Sequence, residues 1–314
     1  MHFPVAGIEI SPWIPPLIAF VISFFTSMGG VSGAFLLLPI QMSFLGYTNP
    51  SVSATNHLFN IVAIPSGVYR YIREGRMVWP LTWVVIIGTL PGVFIGALIR
   101  VVWLPDPKHF KFFAGLVLLY IGVRMFRDLI RKKSVTEKGS SEKRFQELVR
   151  SHQRRSREAG KPLPAVKVLA FSPTSIEYEF YGQTFTIPTI GILTLSFIVG
   201  IVGGTYGIGG GSIIAPFFVT FFGLPVYTVA GAALMGTFVT SIAGVIFFQV
   251  IAPFYPDMSV APDWALGLLF GVGGMAGMYL GARCQKFVPA RAIKWMLCAI
   301  ILLLSGRYVL NVFG

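Results

Sequence analysis

Apolar residues fall in long runs separated by short polar or basic breaks. Runs at residues 12–28, 34–45, 52–71, 81–103 and 110–126 are followed, after a polar middle, by runs at 187–206, 213–222, 226–251, 264–282 and 290–312. A helix that rises about 1.5 Å per residue needs roughly 20 apolar residues to cross the hydrocarbon of a bilayer. Several runs reach that length. Residues 34–45 and 213–222 do not, and are predicted to form half-length helices.

Composition agrees with a chain that has lipid for a solvent: 54% of the 314 residues are hydrophobic and the mean hydropathy is +0.74, where a soluble domain would show more polar surface. The first apolar run has no basic residues before it and no small-residue cleavage site behind it, so it is expected to stay in the mature protein. Cys284 and Cys298 lie in or beside the last two runs at a spacing that suits neither a metal site nor a disulfide framework, and are expected to be packing residues.

The runs repeat. Gly88, Gly92 and Gly96 match Gly273, Gly277 and Gly281 at a constant offset of 185, shared by Trp79 and Trp264. Pro39 and Gly46 match Pro216 and Gly223 at an offset of 177, a longer loop before Trp264 absorbing the difference. The duplication covers most of both membrane portions. Glycine at every fourth position lets a neighbouring backbone approach closely, which membrane helices need because lipid supplies no hydrophobic drive for association.

Charge orients the halves. The net charge of +13 is concentrated in short loops and in the polar middle, a location that argues for topology and against nucleic acid. Arg70, Arg73 and Arg76, the stretch 131–167, and Arg283, Lys286, Arg291 and Lys294 mark cytoplasmic sides, whereas the loops at 105–107 and 253–262 are poor in Lys and Arg. The loop after the third run is thus basic in the first half and acidic or neutral in the second, so the halves are inverted, a frequent transporter plan. Both termini are then extracytoplasmic. Residues 131–161 carry eleven Lys or Arg against four Glu and form a solvated insert, with a helix expected near 142–158. It faces anionic lipid headgroups or simply solvent. Beyond Pro164, residues 166–171 and the alternation of Ile176, Tyr178 and Phe180 with Glu177 and Glu179 predict strands, then a Gly182-Gln183 turn and a strand over 184–187. The fold class is an all-α polytopic membrane protein of two inverted-topology repeats with glycine-broken half-length helices and a small cytoplasmic α/β insert. The expected divisions are 1–130, 131–186 and 187–314.

Glycine also interrupts the runs. Tyr206-Gly207-Ile208-Gly209-Gly210-Gly211-Ser212 breaks the second half, and Met28-Gly29-Gly30-Val31-Ser32-Gly33 is its counterpart. A broken helix in lipid leaves backbone groups that cost several kcal/mol each unless protein, water or ligand satisfies them, so such breaks are expected to line a cavity. Half-helices starting near Gly33 and Gly210 would direct free N–H groups and the positive end of a dipole into it, an arrangement suited to an anion. Thr55, Asn56, His57, Asn60 and Ser66 in one half and Thr237, Thr240 and Ser241 in the other add polar side chains to apolar segments. The candidate substrate-binding set is Gly29, Gly30, Ser32, Gly33, Thr55, Asn56, His57, Ser66, Gly207, Gly209, Gly210, Gly211, Ser212, Thr237, Thr240 and Ser241. Hydroxyls in membrane helices also bond their own backbone, and His57 is either a packed neutral ring or a group that exchanges a proton. Pro65 is expected to kink its segment. Arg100, Arg124 and Arg307 lie near segment ends, where snorkelling is the ordinary explanation. All 12 Asp and Glu fall in loops, segment ends or the insert, so no carboxylate is expected as a buried proton relay or Na⁺ cage. No metal, cofactor or catalytic residue is expected.

Gly207-Ile208-Gly209-Gly210-Gly211, the run to Pro216, Gly223-Leu224-Pro225 and Thr240-Ser241-Ile242-Ala243-Gly244 resemble the TauE/SafE sulfite and organosulfonate exporters. In the first half Gly46, Ala54-Thr55-Asn56, Pro65-Ser66 and Arg73-Glu74-Gly75-Arg76 do so as well. The resemblance covers both membrane halves but not the insert. It implies an inner-membrane permease for sulfite, sulfonates, thiosulfate or related small anions, with the glycine loops and following helices around the substrate. The first glycine run departs from the family pattern. The long basic insert is atypical and is a candidate for a regulatory or homo-oligomer contact. A passive anion channel is an alternative reading, and a membrane-embedded lipid-phosphate enzyme is a weaker one, because the acidic cluster it would need is missing.

Overall fold

The structure is a computed structural model that describes residues 1–28, 32–73, 75–130, 165–224, 226–284 and 290–310. Among these residues five helices are long and apolar enough to cross a membrane, and the chain is a multi-pass helical membrane protein. A short hairpin of β1 (His2–Phe3) and β2 (Ile8–Glu9) leads into α1 (Ile14–Met28), α2 (Ala34–Phe44), α3 (Ser51–Ala63), α4 (Pro65–Arg73), α5 (Trp79–Leu98), a π-helical turn (Ile99–Trp103) and α6 (Pro107–Ile130). Strands β3 (Lys167–Phe171), β4 (Ser175–Phe180) and β5 (Gln183–Pro188) precede α7 (Thr189–Tyr206), α8 (Gly211–Phe221), α9 (Val226–Ile251), α10 (Trp264–Cys284) and α11 (Ala290–Leu310).

Local chemistry sets several boundaries. Pro65 divides its segment outright rather than kinking it, and the Ser66 hydroxyl donates to the Ala63 carbonyl at the division. Asp106 caps α6 by accepting the amides of Lys108 and His109 at 2.8 and 3.0 Å, bonds that hold its carboxyl below the usual aspartate range. As expected from their length, α2 and α8 have 11 residues each, about 16 Å of rise, and cannot cross alone.

The helices pair across the halves. α5 packs on α7, and its counterpart α10 packs on α1. The glycines at offset 185 make both contacts. A Cβ added at Gly88, Gly92 or Gly96 would strike the backbone of Leu193, Phe197 and Ile201, and one at Gly273, Gly277 or Gly281 that of Pro16, Phe20 and Phe24. Leu193, Phe197 and Ile201 are themselves 177 positions beyond Pro16, Phe20 and Phe24. Both sequence offsets are therefore conserved in three dimensions, and the two interfaces are copies of one another. α3 on α10 and α9 on α5 form a second such pair of contacts, while α6 packs antiparallel on α11 near the axis that relates the halves. There the Ser305 hydroxyl donates to Gly115 O at 2.9 Å, and buried Cys298 lies 3.5 Å from Gly122 O.

Two ends can be told apart along the continuous helix α5. At one end Val166 N–H donates to Gly75 O at 2.9 Å, seating the sheet beside the Arg73–Arg76 loop. At the other the N-terminal hairpin is held by Asn49 Nδ2 on Val5 O at 3.1 Å and by Ala6 N–H on the buried Asp263 carboxylate at 3.2 Å. α1 starts from the hairpin end and α7 from the sheet end, so equivalent helices run in opposite directions. The sheet is an antiparallel meander of β3, β4 and β5. Ile176, Tyr178 and Phe180 are its buried face, and the turn is Tyr181-Gly182, one position before the expected pair, both residues having positive φ. Tyr178 pins the sheet to α9 through Thr228 Oγ1 at 2.9 Å, and burial pushes its phenol up, keeping it neutral. The helix expected near 142–158 lies outside the described residues.

Because the glycine interfaces are copies, Gly92→Ala and Gly277→Ala are expected to destabilise alike. Cβ atoms there would sit 2.8 Å from Ile201 N and 3.0 Å from Phe20 Cα, an overpacking worth about 1–3 kcal/mol in each case. Thermal unfolding of the detergent-purified protein measures it, and a wild-type midpoint in either variant would contradict the interface.

Candidate anion-binding site

The glycine breaks are the tips of two helical hairpins that enter from opposite ends. α1 leaves the hairpin end, and α2 returns there, Tyr47 just beyond it bonding Ser51 at the start of α3. α7 leaves the sheet end, and α8 returns, the Phe222 ring lying 3.2 Å from a Cβ built at Gly191. The second tip is formed by left-handed glycines: Gly207 at φ +80 ends α7, its N–H and that of Ile208 both donating to Gly203 O at 2.9 Å, and Gly209 at φ +72 turns the chain into α8. In the first half the break falls between Met28 and Ala34. Gly29 and Gly30 lie outside the described residues, while Ser32 Oγ accepts from Ala34 N–H at 3.3 Å at the head of α2.

One face of α3 holds both tips. Asn56 Nδ2 donates to Ala34 O in the first and Asn60 Nδ2 to Ile208 O in the second, each at 3.1 Å. The Ser53 hydroxyl donates to Thr205 O at 3.2 Å and His57 Nδ1 meets Ser241 Oγ on α9 at 3.3 Å. Tyr206 at the second tip donates to Phe35 O of α2 at 2.9 Å, so the tips are joined directly. Ser53, Asn56, His57 and Asn60 are wholly buried and follow the three- and four-residue spacing of one helix face. Among the described residues Asn56 Oδ1, Asn60 Oδ1 and His57 Nε2 have no hydrogen-bond partner, and neither does Ser23 Oγ, which lies 2.9 Å from a Cβ built at Gly33. Buried polar atoms are ordinarily paired, so these orphans concentrate unmet bonding capacity between the tips.

The second tip is packed rather than hollow. Gly207 lies on the Ser53 backbone, Gly210 on Thr89 and Gly200, and Gly211 on Ala233 O and Thr237. The expected cavity is replaced here by protein contact, because glycine lets backbone meet backbone and α3 supplies the missing hydrogen bonds. Of the sixteen candidate residues, Gly33, Asn56, His57, Gly207, Gly209, Gly210, Gly211, Thr237 and Ser241 gather at the tips. The Thr237 hydroxyl also donates to Ala233 O one turn back at 2.9 Å, and Thr240 donates to Gly236 O at 2.7 Å. Thr55 belongs to a cluster at the hairpin end with Tyr47 and the Asp263 amide. Ser66 is half-buried and donates to Ala63 O at 3.3 Å. The Ser212 side chain lies outside what is described. Ser23, Ser53, Asn60 and Tyr206 complete the arrangement. Asn56 and Asn60, four apart in an apolar helix, were the available signal for it. Among the described residues no group of three His, Cys, Asp or Glu is placed to hold a metal ion.

Residues 16–308 match the family model described as "Sulfite exporter TauE/SafE". The chain belongs to the TauE/SafE family. Its relatives include the probable membrane transporter protein YunE of Bacillus subtilis (strain 168), 23% identical over 288 residues that span 89% of this chain and 90% of that protein. The probable membrane transporter protein YdhB of the same strain is 24% identical over 122 residues, covering 39% of this chain and 46% of its own length. No solved structure matches. The TauE/SafE match covers both repeats, and the chain is a membrane transporter whose paired tips lie inside the matched region.

The α3 clasp is expected to be structural as well as polar. Asn60→Leu removes the buried hydrogen bond between Asn60 and Ile208 O and should cost about 1 kcal/mol or more, whereas Ser66→Ala, remote from the tips, should fall within about 0.5 kcal/mol. Thermal unfolding followed by intrinsic fluorescence compares them, and equal small shifts would remove the clasp.

Proposed function

We propose that the protein carries a small sulfur-containing anion such as sulfite, a sulfonate or thiosulfate across the cytoplasmic membrane by alternating access, in the exporting direction. One observation carries this reading: two re-entrant tips from inverted repeats meet at a buried polar face of α3, where they are joined by the Tyr206 to Phe35 bond. The first amides of a helix are free of intrahelical acceptors and carry the positive end of its dipole, and the unpaired polar atoms supply further contacts. Gly29, Gly30, Ser32, Gly33, Asn56, His57, Gly207, Gly209, Gly210, Gly211, Ser212, Thr237 and Ser241 are the residues assigned to the anion. An anion needs no lysine in such a site, and no cofactor is assigned.

Exchange of conformation between copied halves would open the tips first to one end and then to the other. The closed packing at Gly207 and Gly211 suits an occluded member of that cycle. The Arg73–Arg76 loop beside the sheet supports a cytoplasmic sheet end, with the insert on the same side and both termini outside. Residues 1–130 and 187–314 are the two repeats in this scheme, and 131–186 the insert between them.

Reconstitution tests the reading. Vesicles containing the protein are expected to move thiosulfate or sulfite faster than empty vesicles, with saturation and with stimulation by anion on the opposite side. Ser241→Ala should lower that flux about tenfold, the loss of one hydrogen bond to a charged ligand, at normal membrane yield. Flux indistinguishable from that of empty vesicles would defeat the substrate assignment, and single-channel currents would replace the carrier by a pore.

A further inference from the structure

Among the described residues Arg100 is the largest fully buried side chain, and it does not snorkel. It lies in the π-helical turn that ends α5, a local irregularity frequent at functional sites. Its guanidinium donates to the carbonyls of Leu104 and Thr48, the latter at 3.2 Å, and lies 3.7 Å from the centre of the Phe110 ring. Carbonyls and a ring face solvate a cation but cancel none of its charge. Among the described residues no carboxylate comes within ion-pair distance of it. Asp263 is turned to the amides of Ala6 and Leu266, and Nε of Arg100 has no partner. A buried charge without a counter-charge costs several kcal/mol.

Hydroxyls cluster next to the backbone that this charge holds. The Tyr47 phenol, wholly buried and adjacent in the chain to the Thr48 carbonyl that accepts from Arg100, is 2.8 Å from Ser51 Oγ and 2.7 Å from Thr55 Oγ1. Thr55 precedes Asn56 on α3, so this cluster is the next step along the helix from the paired tips. The second repeat carries Gln285 at the matching offset of 185. The sequence duplication therefore does not extend to this arginine.

We propose that Arg100, with Tyr47, Ser51 and Thr55, forms a second anion station at the hairpin end, which takes a small oxyanion as the missing counter-charge. A planar guanidinium matches the paired oxygens of an oxyanion, and hydroxyl donors occupy the remainder of its shell. The proposal rests on the transport reading for the identity of the ligand, while the uncompensated charge stands without it.

Isothermal titration of the full chain in detergent with thiosulfate tests it. Arg100→Gln should weaken binding about tenfold or more and Arg100→Lys by less, since a lysine keeps the charge and loses the fork. Tyr47→Phe should weaken it about threefold, the loss of one neutral hydroxyl. Wild-type affinity in Arg100→Gln and Arg100→Lys, both eluting as folded protein, overturns the station. Should Arg100→Gln fail to fold, wild-type affinity in both Arg100→Lys and Tyr47→Phe overturns it equally. Vesicles that move no anion, made from protein whose thiosulfate binding still depends on Arg100, would defeat the transport reading and leave the station standing.

Discussion

Everything in this molecule depends on backbone meeting backbone across the two halves. Lipid tails are as apolar as leucine, so burying apolar side chains gives membrane helices little reason to associate, and close packing must supply it. Glycine at every fourth position of α5 and α10 removes the side chains that would hold α7 and α1 away. Once those four helices are joined, α1 and α7 cannot separate from the opposite half, and their tips are delivered to the same depth.

The tips then meet a second constraint. A turn inside a membrane exposes amides and carbonyls that hydrocarbon cannot satisfy. The structure meets that demand with a polar stripe on α3 rather than with charge: two asparagines four residues apart reach one tip each, and a serine and a histidine tie the same stripe to α7 and α9. The orphan oxygens of those asparagines show that satisfaction is incomplete among the described residues.

The repeat, the half-length helices and the meander were legible because each rests on a local rule: run length, glycine spacing and alternation. Even the offsets of 177 and 185 reappear as contacts. Side-chain partnership was harder to read. Thr240 has the composition of a binding-site residue, but its hydroxyl turns back to its own helix, an outcome that depends on rotamer and neighbours rather than on spacing. Thr55 is adjacent to Asn56 in sequence, yet one helix position turns it toward Tyr47 and away from the tips. Arg100 looked like a segment-end arginine because a π-helical turn, which redirects a side chain, leaves no mark in an apolar run. The closed tips were unreadable for another reason: glycine signals that something comes close without saying whether it is ligand or protein.

The swapped pairing of α1 with α10 and of α5 with α7 also constrains how such a chain can arise. A single repeat contains only one partner of each glycine interface, so alone it would present an unmatched backbone groove to lipid. The first repeat crosses three times, by α3 with α4, by α5 and by α6, and so carries the chain from the hairpin end to the sheet end. The second copy therefore starts at the opposite end, already upside down, and the polar middle segment has to join the halves without crossing.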